Sequence, residues 1–366
     1  MTKQVRCGRI LIGGGAPVSI QSMTNVDTRD SEKLLAQINA LEASGCDIVR
    51  VAIPDEAAAK SFAKVRQETK MPLVADIHFN YKLAIAAIEA GADKIRINPG
   101  NIGSDDRVAK VVEAAGNKGI PIRVGVNSGS LDKKLLAKHG GVTAAALAES
   151  AIDTLDKIEC MGYDNLVLSI KSSNVKMNYD AHMLVKEMTE HPLHIGITES
   201  GTPENGRLKS AVGIGSLLLA GVGDTLRVSL TDDPVNEVLF GRRILEAVGL
   251  REKSIEIVSC PTCGRTEVNL IEMANDAEES LREIGNRRAL LGLKPLKIAV
   301  MGCVVNGPGE SREADYGIAG GNKEGLVFAH GEIIAKVSED ELIPTLIDIV
   351  SKDTTKKKCT DGEFYR

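Results

Sequence analysis

The apolar positions along the first two-thirds of the chain alternate between a helical and a strand periodicity. Amphipathic segments such as 31–43 and 143–161 end close to a glycine, and a short β-branched run follows each of them. The runs that predict strands lie at 18–23, 47–53, 73–78, 94–99, 122–127, 166–171, 194–200 and 225–230. Because strands that alternate with helices form parallel sheets, eight such units in about 250 residues predict an α/β fold with an N-terminal (β/α)8 TIM-type barrel.

A doubly wound open sheet is the alternative arrangement of the same elements. Sheets of that kind that bind dinucleotides carry a Gly-x-Gly-x-x-Gly turn directly after the first strand. In this chain the glycine cluster, Gly13 to Gly15, precedes the first predicted strand. The barrel is therefore the favoured architecture.

The pattern changes near residue 250, where a charged linker separates the barrel from a second set of elements. These are predicted as a strand at 255–258, a long helix at 268–291, a strand at 297–300, a hairpin at 326–329 and 333–337, and a helix at 339–350. We therefore expect a barrel domain at 1–252, a smaller α/β domain at 253–352 and a polar tail at 353–366.

Composition excludes several classes of function. Lys+Arg 45 against Asp+Glu 50 gives a net charge of −5, which argues against a general nucleic-acid binder. Aromatic residues are 3% of the chain, and no apolar run reaches the ~18 residues of a membrane helix. The seven cysteines are scattered rather than spaced as a disulfide framework. We expect an enzyme of the reducing cytoplasm that binds neither nucleic acid nor membrane.

Polar residues interrupt the predicted barrel strands in one consistent place, near their carboxyl ends. The residues are Gln21, Arg50, Asp76, His78, Arg96, Asn98, Arg123, Asn127, Lys171, Glu199, Arg227 and Ser229. Where two belong to one strand they are spaced by two or four residues and share a face, so the set points into the barrel mouth. Four Arg and one Lys from five strands need a shared anion, because uncompensated burial of five cations is too costly. Arginine suits phosphate oxygens, so the sequence predicts a small, strongly anionic ligand, most simply a diphosphate.

The remaining polar residues of this set have two possible roles each. Asp76 and Glu199 are either general acids or counter-ions that position the arginines. His78 is either a hydrogen-bonded core residue or a site residue at a strand's carboxyl end. Lys171 resembles the Schiff-base lysine of a barrel aldolase, but beside four arginines a phosphate-binding role is simpler.

The second domain carries a cysteine pattern, Cys260-x2-Cys263-x39-Cys303-x6-Glu310. A Cys-x-x-Cys pair at a strand end lets two thiolates hold one metal centre, and the glycine-rich loop around Cys303 allows tight turns around a bulky group. Three interpretations remain open: a structural zinc, a redox dithiol and an iron–sulfur cluster. Zinc normally needs four Cys or His ligands, and a dithiol leaves Cys303 unexplained, whereas three thiolates and an oxygen donor suit a cluster.

Seven segments together resemble the 4-hydroxy-3-methylbut-2-enyl diphosphate synthases in their compact bacterial two-domain form. They are QSMTN at 21–25, ADIHF at 75–79, KIRINPGNIG at 94–103, RVGVNSGSL at 123–131, GITESG at 196–201, SCPTCGRT at 259–266 and MGCVVNGPGE at 301–310. The resemblance implies reductive ring opening of 2-C-methyl-D-erythritol 2,4-cyclodiphosphate, a step of the methylerythritol phosphate route to isoprenoids. It also implies a [4Fe–4S] cluster on Cys260, Cys263 and Cys303, with Glu310 as fourth ligand.

The same resemblance implies partners. Electrons come from ferredoxin or flavodoxin, and the cluster domain of one subunit of a homodimer closes over the barrel of the other. Asn306 then approaches the substrate from the partner chain. The alternative enzyme is a lyase or aldolase acting on a sugar phosphate, with Lys171 as nucleophile and a structural zinc in the second domain.

Overall fold

The structure, a computed structural model, describes residues 1–303 and 313–360. The chain divides into two compact units, Met1–Arg251 and Glu252–Arg366. Along the described ranges no helix is both long enough and apolar enough to span a membrane.

The first unit is a closed barrel of eight parallel strands in the order β10-β3-β4-β5-β6-β7-β8-β9. Its strands are β3 Ser19–Met23, β4 Ile48–Ala52, β5 Leu73–Asp76, β6 Lys94–Ile97, β7 Ile122–Asn127, β8 Leu166–Lys171, β9 Leu193–Ile195 and β10 Thr225–Leu226. The surrounding helices are α1 Ser31–Ala43, α2 Glu56–Glu68, α3 Tyr81–Glu89, α4 Pro99–Ile102, α5 Asp105–Lys118, α6 Lys133–His139, α7 Ala144–Glu159, α8 Val175–Lys186, α9 Pro203–Leu219 and α10 Pro234–Ala247, with a 3-10 turn at Ser128–Ser130. The predicted TIM-type barrel is confirmed.

Alternate residues of each barrel strand face the helices and form the main apolar core. In β4 these are Val49 and Val51, and in β6 Ile95 and Ile97, all fully buried. Because strand side chains alternate between faces, the intervening residues point into the barrel. Helix starts are fixed by side-chain caps, for example Asp30 and Asp55, which accept hydrogen bonds from the first turns of α1 and α2.

An N-terminal hairpin closes the bottom of the barrel. Strands β1 Gln4–Cys7 and β2 Ile10–Gly13 pair antiparallel. Val5, Cys7 and Ile12 pack against the interior residues Ile48, Val74 and Val167 in a separate apolar cluster. The barrel interior is consequently accessible from the carboxyl ends of the strands.

Four barrel strands end at least two residues before the predicted runs. β5, β6, β9 and β10 end at Asp76, Ile97, Ile195 and Leu226, so part of the expected polar set lies in the loops that follow. In the loop after β9, Glu199 has a φ of 50°, which breaks extended backbone. The apolar and polar pattern that predicts these strands continues past the last residues that pair in the sheet, and so the predicted runs are longer than the strands.

The second unit is a five-stranded mixed sheet with two long helices. Its strands are β11 Ile255–Ser259, β12 Leu296–Met301, β13 Tyr316–Gly320, β14 Glu324–Ala329 and β15 Glu332–Ser338, in sheet order as numbered. Its helices are α11 Leu270–Leu290 and α12 Leu342–Thr360, with a 3-10 turn at Glu339–Glu341. β11, β12 and β13 are parallel, and β14 and β15 form the predicted hairpin.

The final helix differs from the expected polar tail. The sequence predicts a polar tail from residue 353, whereas α12 continues without a break to Thr360. The reason is a buried contact: Arg288, 0% exposed, donates to Asp353 Oδ2 at 2.8 Å and to Thr354 Oγ1 at 3.0 Å. Because of these hydrogen bonds, the helix stays packed against its neighbour in the segment after residue 353, whose polar composition predicts exposure to solvent.

Candidate active site in the barrel mouth

Five cationic side chains occupy interior positions near the carboxyl ends of five strands. They are Arg50 of β4, Arg96 of β6, Arg123 of β7, Lys171 of β8 and Arg227, directly after β10. Within the described residues two carboxylates form ion pairs with them, Asp76 and Glu237. The set therefore has an excess of three positive charges.

Asp76 bridges two of the arginines. Its Oδ1 lies 3.1 Å from Arg96 Nη1, and its Oδ2 lies 3.5 Å from Arg50 Nε. Burial by itself raises the pKa of Asp76, but the two guanidinium groups outweigh burial and hold that pKa below its usual range. Because the carboxylate is ionised and engaged on both oxygens, the arrangement supports the counter-ion role rather than that of a general acid.

Arg227 is held by a carboxylate that comes from a helix. Glu237 of α10, 5% exposed, accepts a hydrogen bond from the Leu230 backbone N–H at 2.8 Å through Oε1. Its Oε2 lies 3.5 Å from Arg227 Nη2. On the other side, the Met23 sulfur accepts from Arg50 Nη2 at 2.8 Å and lies 3.7 Å from Arg227 Nη1. These contacts fix the planes of both guanidinium groups.

Arg123 and Lys171 are the least compensated cations of the set. Arg123 is 1% exposed, and its Nε and Nη1 have no hydrogen-bond partner among the described residues. Burial, followed by repulsion from Arg123 and Arg227, holds the pKa of Lys171 well below its usual range. A bound anion offsets the cost of burying both cations. It pairs with the Arg123 guanidinium, and it favours the protonated form of the Lys171 amine.

Gly196 provides the space in which Lys171 lies. A Cβ at residue 196 would be 2.5 Å from the Arg227 carbonyl oxygen and 3.2 Å from Lys171 Nζ. No larger residue fits without moving backbone. Glycine is therefore required at residue 196, because any side chain there would collide with the backbone of Arg227 and crowd the amine of Lys171.

The other predicted site residues surround these cations. His78 is exposed, with Nε2 at 3.4 Å from Arg96 Nη1. Glu199 is also exposed, in a loop joined to the loop after β10 by a hydrogen bond from the Ser200 hydroxyl to the Ser229 carbonyl. A non-glycine residue at positive φ stores strain of about 1 kcal/mol, so this bond helps to hold Glu199 in place.

The uncharged members of the set lie at the same end of the barrel. Gln21 is 1% exposed, and within the described ranges neither of its amide atoms has a hydrogen-bond partner. Asn98 caps α4 by accepting from the Gly100 N–H at 3.1 Å, and Asn127 is the last residue of β7. Asn127 and Ser229 are both half-buried.

The cysteines of the second unit lie at the ends of two neighbouring parallel strands. Cys260 follows β11 and Cys303 follows β12, and the Gly302 N–H donates to Cys260 Sγ at 3.3 Å. Cys263 is exposed, and hydrogen bonds from Arg265 lower its pKa. Residues 304–312 lie outside the described part of the chain, and with them the predicted positions Glu310 and Asn306.

The donor chemistry of these cysteines fits an iron–sulfur cluster. A backbone N–H aimed at a sulfur and a thiol with a lowered pKa both favour metal-bound thiolates. Across residues 1–303 and 313–360, however, no three His, Cys, Asp or Glu side chains converge to hold a metal ion. The described structure therefore does not bring Cys260, Cys263 and Cys303 together as a set of metal ligands.

Sequence reasoning missed four side chains of the barrel interior that contact the cations or lie close to them. Glu237 belongs to a helix, and Met23 is apolar, so neither carries a signal in the strand pattern. Lys94 and His194 are fully buried and lie on interior faces. Lys94 precedes Arg96 by two residues, and that spacing alone places both side chains on one face.

Comparison with known proteins agrees with this architecture. Residues 2–242 match the family described as the GcpE TIM-barrel domain, and residues 256–352 match the GcpE protein C-terminal domain. The chain belongs to the GcpE family. A 4-hydroxy-3-methylbut-2-en-1-yl diphosphate synthase (flavodoxin) from Caldanaerobacter subterraneus subsp. tengcongensis is 52% identical over 352 residues, 96% of this chain and 97% of the relative. The protein of the same name from Geobacter sulfurreducens is 52% identical over 356 residues, 97% and 99% of the two chains.

Family membership confirms the resemblance drawn from the seven motifs. GcpE proteins of this kind are oxidoreductases of the methylerythritol phosphate pathway, and the predicted class of enzyme is confirmed with the family. A solved dihydropteroate synthase from Yersinia pestis is 14% identical, with a TM-score of 0.50, and covers 68% of this chain and 99% of its own. That likeness concerns the barrel fold alone.

Proposed function

We propose that the barrel mouth binds 2-C-methyl-D-erythritol 2,4-cyclodiphosphate and that the enzyme opens it reductively to 4-hydroxy-3-methylbut-2-enyl diphosphate. The observation that carries this assignment is the excess of three positive charges on five cationic side chains at the barrel mouth, of which Arg50, Arg123 and Lys171 are buried. The cyclic diphosphate has two ionised oxygens. Cleavage of the ring C–O bond leaves a terminal phosphate with one more, so the open product matches the excess charge of the site.

The reaction needs two electrons and a proton. The dianionic substrate takes up two electrons and one proton, loses water and gives the trianionic product. Glu199 and His78 are the proton donors we propose, because both are exposed at the mouth and neither oxygen of Asp76 is free of an arginine. Arg50, Arg96, Arg123, Lys171 and Arg227 bind the diphosphate oxygens, and Gln21, Asn98, Asn127 and Ser229 supply uncharged hydrogen bonds.

Cys260, Cys263 and Cys303, with Glu310, are the ligands we propose for a [4Fe–4S] cluster. When bound, the cluster supplies the electrons one at a time. The chain's own contribution is the Gly302 N–H, which orients the Cys260 sulfur, and Arg265, which favours the Cys263 thiolate. Flavodoxin, which the names of the curated relatives contain, is the donor we propose, with ferredoxin as the alternative.

Two variants separate binding from electron supply. In anaerobically purified protein, Arg123→Ala should keep its iron and lose affinity for the cyclic diphosphate, whereas Cys263→Ser should lose iron and keep that affinity. We expect brown wild-type protein with four irons per chain. A colourless zinc protein, or Arg123→Ala with unchanged Michaelis constant, contradicts the proposal.

Glu310 and the homodimer stay predictions with their own tests. Glu310→Cys should hold the cluster at least as firmly and lose most turnover, because thiolate is displaced by a substrate oxygen less readily than carboxylate. Full activity of Glu310→Ala rules out the ligand role. Mixing Arg123→Ala with Cys263→Ser subunits should restore partial activity if one subunit's cluster domain, including Asn306, serves the other's barrel.

Lys171 as a Schiff-base nucleophile is the second candidate function. One observation favours it, since a lysine of lowered pKa is the form that attacks a carbonyl. The same lowering follows from the neighbouring Arg123 and Arg227, so the diphosphate assignment explains it equally. Borohydride trapping of a substrate adduct on Lys171 distinguishes the two.

A further inference from the structure

Beneath the arginines, the barrel interior carries buried polar side chains beside the Val and Ile residues that normally fill such barrels. Lys94 lies on the same face of β6 as Arg96, one interior position deeper, and is 0% exposed. Thr225 pairs with Ser19 and with His194 in the neighbouring strands, and all three side chains are buried. In the described ranges Lys94 Nζ and both ring nitrogens of His194 have no hydrogen-bond partner.

Among the described residues, the ionisable groups that face Lys94 include no carboxylate. They are Cys7 from the hairpin, Arg50 from β4, Arg123 from β7 and His194 from β9. The adjacent Asp93 is turned away, because its Oδ2 accepts from Arg66 Nη1 at 2.9 Å and from the Leu73 N–H at 2.8 Å. Lys94 therefore has no counter-ion within the part of the chain that the structure describes.

The floor of the barrel prevents an anion from reaching Lys94 from below. Val5, Cys7 and Ile12 of the hairpin pack against Ile48 and Val74, which lie at the same depth as Lys94. The remaining route leads from the mouth, past Arg96 and Arg123. An anion held by those arginines is the one that comes nearest to the ammonium group.

We propose that Lys94 is an additional anion-binding residue of this site, forming with Arg123 an inner tier that takes the most deeply inserted oxygen of a diphosphate group. That the ligand is the cyclic diphosphate rests on the proposed function, whereas the inference that the ligand is an anion rests on the buried cations alone. Lys94 thereby extends the binding site one interior layer below the residues at the strand ends.

The charge state of Lys94 makes the proposal measurable. Burial is the main cause that lowers the pKa of Lys94 to about 8; Cys7 opposes the shift, and Arg123 and Arg50 add to it. An anion beside Nζ favours the ammonium form and raises the pKa. Binding near pH 8 should therefore be accompanied by proton uptake on Lys94.

Titration calorimetry of the anaerobically purified full chain with inorganic pyrophosphate tests this. Measurements at pH 8 in two buffers of different ionisation enthalpy give the number of protons taken up. Relative to wild type, Lys94→Met should bind pyrophosphate about 10- to 100-fold more weakly and take up about half a proton less. Lys60→Met, an exposed lysine on α2, is the matched control and should equal wild type.

The outcomes distinguish this inference from the proposed function. Unchanged affinity and proton uptake in Lys94→Met overturn the inner tier, even if the wild type turns over the cyclic diphosphate. The expected losses, together with no turnover by the wild type, support the inner tier and refute the proposed function. Lys94→Gln carries the same expectation, and decides the question if the methionine variant does not fold.

Discussion

Asp76 Oδ1 lies 3.1 Å from Arg96 Nη1, and this contact joins neighbouring strands across the barrel interior. The second oxygen of Asp76 lies 3.5 Å from Arg50 Nε on the other neighbouring strand. One carboxylate thus holds two guanidinium groups that would otherwise repel each other. The Asp76 carboxylate thereby holds both guanidinium groups in place for an anionic ligand before that ligand binds.

Asp76→Asn should destabilise the free protein and be rescued by ligand. Removing one partner of a buried ion pair typically costs about 3–5 kcal/mol, because the remaining charge is uncompensated. Inorganic pyrophosphate should restore part of that loss, since it pairs with the same arginines. Urea unfolding with and without pyrophosphate measures both effects.

The control for that variant is Asp27→Asn, which breaks the exposed pair with Arg29. Exposed ion pairs contribute little to stability because solvent screens them, so its unfolding midpoint should barely move. Equal losses of stability in the two variants would mean that the buried ion pairs of Asp76 stabilise the protein no more than an exposed ion pair does.

Acid unfolding should depend on Asp76 in a defined direction. Its pKa in the folded protein lies below the unfolded value of 3.8. The stabilisation is therefore complete above that value and is lost as the pH falls through the folded pKa. Below about pH 4 wild type should lose stability more steeply than Asp76→Asn, and parallel curves would contradict this.

The barrel and its cationic set were predictable because they depend on local patterns. The alternation of side chains along a strand places Arg123 and Arg96 on the interior faces of β7 and β6. Because these two strands are neighbours in the barrel, the two side chains lie close together. Lys94 has the same signal two residues before Arg96, but lysine is so rarely fully buried that the pattern predicts a site at the strand ends and not one layer deeper.

The contacts that orient the arginines were not predictable in the same way. Glu237 reaches Arg227 because the chain reverses from β10 into α10, and no periodicity records that reversal. Met23 accepts from Arg50 through a sulfur that sequence patterns count as apolar. Glu310 and Asn306, predicted from the family motif, lie outside the described residues.

Lys94→Met should stabilise the protein near neutral pH. The folded pKa of about 8 lies below the unfolded 10.5, so the unfolded chain binds more protons between those values. The penalty of about 3 kcal/mol is complete below pH 8 and disappears as the pH approaches 10.5. Unfolding of both proteins at pH 7 and pH 10 checks this, and a stability difference that does not shrink with pH contradicts it.

Gly196→Ala should damage the site while leaving a folded barrel. The new Cβ would meet the Arg227 carbonyl oxygen at 2.5 Å, so the loops after β9 and β10 must separate. We expect weaker pyrophosphate binding and a loss of about 1–3 kcal/mol, as for other overpacked positions. Gly215→Ala in α9, where the nearest atom is 3.9 Å away, should be neutral or stabilising by up to about 1 kcal/mol.

Glu237→Gln tests whether positioning of Arg227 matters for substrate binding. Glutamine keeps an oxygen for the Leu230 N–H but has no charge to hold Arg227 Nη2, now 3.5 Å away. Because Glu237 is buried, removal of its charge also leaves Arg227 beside the cations Arg50, Arg123 and Lys171 with no carboxylate partner among the described residues. We expect the Michaelis constant for the cyclic diphosphate to rise by about 10-fold, the cost of one charged hydrogen bond, with the turnover number changed less. Glu237→Asp, which retains the charge on a shorter side chain, should recover part of the loss. If kcat falls while the Michaelis constant stays constant, Glu237 acts on the chemical step and the positioning role is wrong.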